Sequence, residues 1–154
     1  MDKTFNVINE LLADTFNDIL LIEQMALSEG MFNDISLTEM HTIEAIGMYD
    51  AKSMSEVAAD LNITVGTLTT AINNLVKKEY VVRERSEEDR RVVQVQLTKK
   101  GKLAYRVHAK FHSDMVSSAI EGLTKSEEVI LVNALEKLNN FFRDKYHLKS
   151  KLKG

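Results

Sequence analysis

The chain contains no cysteine and no proline, and only 6 of its 154 residues are glycine. Absence of cysteine rules out disulfides and thiol chemistry, which suits a cytoplasmic protein. Absence of proline, with so little glycine, leaves few positions that interrupt regular structure, so long and mostly helical elements are expected. No run of about eighteen apolar residues occurs, so no membrane span is expected. The N-terminal segment MDKTFNVINELLADTFNDIL is too acidic and too regularly polar for a secretion signal. There is no glycine-rich phosphate loop and no nucleophile-base pair at a recognisable spacing. The carboxylates are spread as on solvated helix faces, and an enzyme is not expected.

What is present fits one folded domain: 44% hydrophobic and 28% charged residues in 17.5 kDa. The net charge of -3 conceals a strong asymmetry. Residues 1–60 hold 12 acidic and 2 basic side chains, net -10, whereas residues 61–110 hold 5 and 11, net +6. A regional positive field of that kind binds polyanions even on an acidic chain.

Apolar spacing predicts a long first helix carrying Phe5, Ile8, Leu12, Phe16, Ile19 and Ile22, with Leu11 and Leu20 widening its arc and Gly30 ending it. A second helix starts at Ser36 or Thr38, carries Leu37, Met40, Ile43 and Ile46, and stops at Gly47. A third spans about 53–61, with Val57, Ala58 and Leu61 inward, and a fourth follows Thr64 after a very short turn. That pair is a helix-turn-helix candidate. YVVRER and VVQVQLT read as strands, the second alternating Val93, Val95 and Leu97 with polar residues. Thr98 then caps a long helix, and Thr124 with Glu127 opens the last one as a capping box, while the tail KSKLKG is expected to fray. The fold class is therefore mainly α with a small β-hairpin, in the order α-α-α-α-β-β-α-α.

The fourth helix separates into two faces. Val65, Leu68, Ile72, Leu75 and Val76 form an apolar arc, and Gly66, Thr67, Thr70, Asn73, Asn74 and Lys77 lie opposite. Threonine and asparagine are poor choices for an ordinary exposed helix. They suit a surface inserted in a major groove, where asparagine pairs with adenine's edge and threonine offers a hydroxyl and a methyl. An unremarkable polar face is the bland alternative.

Between the strands, RERSEEDRR mixes four arginines with four acidic residues. A phosphate clamp would not include Glu84, Glu87, Glu88 and Asp89. One carboxylate beside an arginine, however, fixes the guanidinium by a two-point salt bridge. Asp89 is expected to hold Arg91 or a neighbouring arginine in that way. The alternative is a self-neutralised surface loop.

The ordered set TVGTLTTAINNLVKKEYVVRERSEEDRR, VVQVQLTKKG resembles the MarR family of winged helix-turn-helix repressors, and the likeness runs over nearly the whole chain. It implies a DNA-binding lobe over 36–98 and a helical dimerisation region over 1–30 and 104–148. The implied partners are double-stranded DNA with an inverted repeat and a second copy of the chain. Implied contacts come from the polar face of the fourth helix and from a wing in which Arg91, with Arg83, Arg85, Asp89 and Arg90, meets the minor groove or its phosphates. The family usually has glycine where Glu79 stands; either the backbone keeps a positive φ there, at a cost to glutamate of about 1 kcal/mol or somewhat more relative to glycine, or the turn is shifted and with it the angle of the wing.

LTEMHTIEAIG, DRRVVQVQLTKKG and RVHAKFHSDMV are similar to the branch of the family that represses fatty-acid synthesis genes in streptococci, lactococci and enterococci. That branch implies acyl-acyl carrier protein as co-repressor, with His41, His108 and His112 near the effector region and no required cofactor. His108 and His112 also share a helix face, four residues apart. A zinc-responsive branch implies a metal set of Glu23, His41, His108 and His112. Polar anchoring is an equally workable role for the pair. Lys99, Lys100, Lys102, Arg106 and Lys110 would face either an acidic carrier protein or DNA phosphate. The remaining alternative, from a different class, is a helical dimer that binds partner proteins and not DNA.

Overall fold

The structure is a computed structural model, and residues 2–148 are described. Its elements are α1 (Lys3–Glu29), α2 (Leu37–Ile46), β1 (Lys52–Ser53), α3 (Met54–Leu61), α4 (Val65–Lys77), β2 (Val81–Arg85), β3 (Val93–Leu97), α5 (Lys99–Ile120) and α6 (Lys125–Tyr146). The order is the one expected, with one addition. The two-residue strand β1 joins the hairpin to make an antiparallel sheet of order β1-β3-β2. Two residues cannot display a period of two, so β1 had no local signal. The KSKLKG tail lies outside the described residues.

Every helix begins on a side chain that accepts a backbone N–H. These are Asp2, Ser36, Ser53, Thr64, Thr98 and Thr124. Ser36 with Glu39 and Thr124 with Glu127 form complete capping boxes. The turn between α3 and α4 is short because Asn62 adopts a left-handed conformation, φ 56°. There the N–H groups of Asn62 and Ile63 return to Ala59 and Ala58, closing α3 within two residues.

The core lies between α2, α3, α4 and the sheet. Met40, Ile43 and Ile46 from α2 meet Val57, Leu68, Ile72 and Leu75 from the helix-turn-helix and Val95 from β3. Leu61, expected to face inward, is half-buried against this core. Val65 departs from the arc assigned to it: it is exposed, because it begins α4 beyond the edge of the core.

The end of α4 has the hydrogen bonds of a Schellman motif. Tyr80 N–H donates to the Leu75 carbonyl at 2.9 Å and Glu79 N–H to that of Val76 at 3.1 Å. This motif places Glu79 at φ 67°, so the glycine-like backbone is retained although the residue is glutamate. Tyr80 and Val81, the first residue of β2, are then fully inside. The Tyr80 carbonyl accepts the Thr98 N–H at 3.0 Å. Gly101 packs against that same carbonyl so closely that a Cβ would lie 2.1 Å from its oxygen.

The long terminal helices contribute little to this core. In α1 only Glu23 and Leu27 are buried, and α6 buries no residue at all. Phe5, Ile8, Phe16 and Ile22 of the α1 stripe are exposed, as are Ile130, Leu135 and Phe141 of α6. These helices therefore do not cover one another within a single chain.

Two substitutions test the turn. Glu79→Gly should stabilise the protein by about 1 kcal/mol, raising its thermal midpoint by about 2–4 °C. Gly101→Ala should destabilise it by about 2 kcal/mol or more, since the added methyl meets backbone and not a side chain that can rotate away. Calorimetry of both variants beside the wild type reads each difference.

Candidate nucleic-acid interface

Capping and core packing fix the rotation of α4. Thr64 caps its first turn, and Leu68, Ile72 and Leu75 point into the core. Gly66, Thr67, Thr70, Asn73, Asn74 and Lys77 are consequently all exposed on the other side. The face expected from the sequence is a solvent-facing surface. A broad groove beside it runs between Ser36 and Thr38 at the start of α2 and Gly66, Thr67, Thr70 and Asn74. Lys78, one residue past Lys77, turns inward and pairs with Glu39 at 3.0 Å.

The wing follows from the sheet. Strand alternation puts Val81, Arg83 and Arg85 on one side of β2, where Val81 is buried and the two arginines line a groove facing α4. That groove also holds Val65 and Thr69 of α4, Ser53 and Ser55 at the start of α3, and Arg91. Neither Thr69 nor the two serines belonged to the expected set; their grouping depends on three separate elements converging.

The tip is tied down by its own side chains. Ser86 N–H donates to the Val92 carbonyl at 2.8 Å, and Val92 N–H to that of Asp89 at 2.9 Å. Asp89 accepts Arg91 Nε at 3.1 Å through one oxygen and Arg91 Nη2 at 3.2 Å through the other. It also takes the Arg91 backbone N–H at 3.0 Å. This is the two-point grip expected of Asp89, and Arg91 is the arginine it holds. The same contacts, with the guanidinium first, keep the Asp89 carboxyl below its ordinary range. The Arg91 side chain remains 92% exposed while so held, which directs it away from the protein. Arg85 instead donates to the Arg90 carbonyl at 2.8 Å, bracing the turn, and Arg83 donates to Asn73 at 2.6 Å. Arg90 is exposed.

A second cluster lies where α1, α2 and α5 meet. The Glu23 carboxylate, 5% exposed, has His112 Nε2 at 2.5 Å and His108 Nε2 at 3.8 Å from one oxygen and His41 Nε2 at 3.5 Å from the other. The three expected histidines are thus gathered on one acidic group. Among the described residues, Glu23, His108 and His112 each offer one ligand atom, all within 4.8 Å of one another. Glu44, absent from the expected set, lies 3.2 Å from His108. Burial alone would raise its carboxyl, but the hydrogen bond from His108 and the nearby His41 and His112 hold it below the usual range. Its position three residues after His41, on one helix face, was the available signal.

Next to this cluster is a small apolar cavity of about 50 Å³, lined by Leu27, Phe32, Met40, Val107, His108 and Phe111 among others. It has room for a few water-sized groups. His108 borders both the cavity and the carboxylates. No helix among the described residues is long and apolar enough to cross a membrane.

Comparison with known proteins agrees with this geometry. Residues 35–93 match the model of the MarR family. Streptococcus pneumoniae FabT, solved in complex with DNA, is 44% identical, with 91% of this chain and 98% of that one covered and a TM-score of 0.87. An HTH-type transcriptional regulator of Bacillus subtilis, YfiV, is 30% identical over 73% of this chain and 71% of its own. A MarR family protein from Bacillus stearothermophilus shares the fold, with a TM-score of 0.77 at 17% identity over 92% of this chain and 98% of that one. The polar face of α4, the Asp89–Arg91 wing and these likenesses lead to one assignment: the chain belongs to the MarR family of winged helix-turn-helix transcriptional regulators.

Proposed function

We propose that this regulator represses fatty-acid synthesis genes by binding an inverted-repeat operator as a homodimer, with acyl-acyl carrier protein as co-repressor. The observation that carries the DNA reading is the exposure of the whole Thr/Asn face of α4 beside a wing whose tip arginine is held outward by Asp89. In this reading Gly66, Thr67, Thr70, Asn73, Asn74 and Lys77 meet the major groove. Arg91, with Arg90, reaches the minor groove or its phosphates, and Asp89, Arg83 and Arg85 organise the approach. Residues 36–98 form the DNA-binding lobe. The uncovered apolar faces of α1 and α6, within 1–30 and 104–148, are suited to bury one another across two copies, which also spaces two recognition helices for paired half-sites. The setting is the cytoplasm.

The fatty-acid pathway is supported by the 44% identity to FabT and by the apolar cavity with His108 at its edge. A hydrocarbon chain is the chemistry such a lining takes, with the histidines supplying polar contacts at its mouth. A chain longer than a few carbons must open the cavity further. It would therefore move α1 and α5 relative to the lobe, and with them the separation of the two recognition helices. Zinc is the second reading, favoured by the Glu23, His108 and His112 cluster with His41 beside it.

A fluorescently labelled inverted-repeat duplex should be bound by two chains, more tightly than random duplex, with affinity falling steeply as salt rises. Arg91→Ala should weaken that binding roughly tenfold. Equal affinity for random duplex would contradict the repressor reading, and an unaffected Arg91→Ala variant would contradict the wing assignment. Native mass spectrometry of protein purified with its cellular ligands should show acylated carrier protein on the dimer. A zinc adduct in its place, lost in His112→Ala, would select the second reading.

A further inference from the structure

The hydrogen bond between Arg83 and Asn73 joins the wing to the recognition helix, ten residues apart along the chain and on different elements. Its chemistry fixes an orientation. A guanidinium only donates, so the atom of Asn73 that faces Arg83 Nη1 at 2.6 Å must be the amide oxygen. The amide nitrogen, with its two N–H groups, is then on the side turned away from Arg83. Asn73 itself is exposed on the polar face, in line with Thr70 one turn before and Lys77 one turn after.

We propose that Arg83 is a positioning residue for base reading. By occupying the oxygen of Asn73 it makes that side chain a hydrogen-bond donor toward the duplex, so that the pair selects guanine in each half-site. This rests on the DNA-binding reading of α4. Adenine's major-groove edge presents a donor and an acceptor, and an asparagine reads both only when its oxygen and nitrogen turn to the base together. Guanine presents two acceptors, N7 and O6, which match an amide offering its N–H groups beside a fixed positive charge. The bond therefore shifts the expected partner of Asn73 from adenine to guanine. It also separates Arg83 from Arg91: the first acts through Asn73, the second projects on its own.

The test starts from duplexes selected by the wild-type protein from a random inverted-repeat library. Replacing one guanine per half-site by 7-deazaguanine, which lacks the N7 acceptor, should weaken wild-type binding about tenfold at one position. Asn73→Ala and Arg83→Ala should each bind the unmodified duplex about as weakly, and neither should lose more on the modified one. Arg83→Gln, which keeps a donor and removes the charge, should retain most of the guanine penalty and leave the dependence of affinity on salt unchanged. Thermal midpoints measured alongside report whether each variant is folded. If Arg83→Ala keeps the full 7-deazaguanine penalty while its salt slope falls by about one, Arg83 contacts phosphate directly and the proposal is wrong. A selected adenine in place of guanine at the position lost in Asn73→Ala would also overturn it. Failure of the wild-type protein to enrich any sequence would instead remove the DNA reading beneath it.

Discussion

The architecture depends on the close approach of three elements at the backbone of Tyr80. Its N–H closes α4, its carbonyl accepts the first residue before α5, and Gly101 of α5 presses against that carbonyl without a side chain between. The side chain adds three more links. Its hydroxyl donates to Asp34 at 2.5 Å, and its ring meets Phe32 edge-on at 6.0 Å, with the Lys100 ammonium 4.3 Å from the ring centre. Burial, followed by the bond to Asp34, pushes the phenol well above its ordinary range. One residue thus joins α4, the strand β2 that leads to the wing, and α5, which bears His108 and His112.

That junction also lies next to the cavity beside the histidine cluster. Phe32 touches Tyr80 and also lines the cavity beside His108. Asp34, on the same connection, receives the Tyr80 hydroxyl and, through its carbonyl, the Lys78 ammonium. The segment that lines the cavity is thus bonded directly to the residues that close α4. The charge distribution separates the roles in the same way. The acidic first part of the chain supplies Glu23 and Glu44 to the histidines, while the basic middle supplies the surface suited to a polyanion.

Much of this was legible in the sequence because it is local. Ser36 with Glu39 and Thr124 with Glu127 announce helix starts within four residues, and the split of α4 into apolar and Thr/Asn faces follows from a period of 3.6. Asp89 and Arg91 are two residues apart, so their pairing was readable as well. What escaped depends on distant partners. The strand β1 exists only because Val95 and Gln94 lie beside it, and Val65 is exposed because the core ends before it. Glu44 gains its meaning from His108 on another helix, and Asn73 from Arg83 on a strand. The left-handed turn at Glu79 was suggested by resemblance and not by the residue, since glutamate gives no sign of positive φ.

In the proposed complex, two copies present their α4 faces to one side of a duplex, with a wing beside each. Protection of guanine N7 from methylation reads this directly, because that atom lies in the major groove. Two protected patches are expected in successive major grooves, about one helical turn apart and related by the operator's symmetry. A single patch, or protection spread evenly along the duplex, would contradict it.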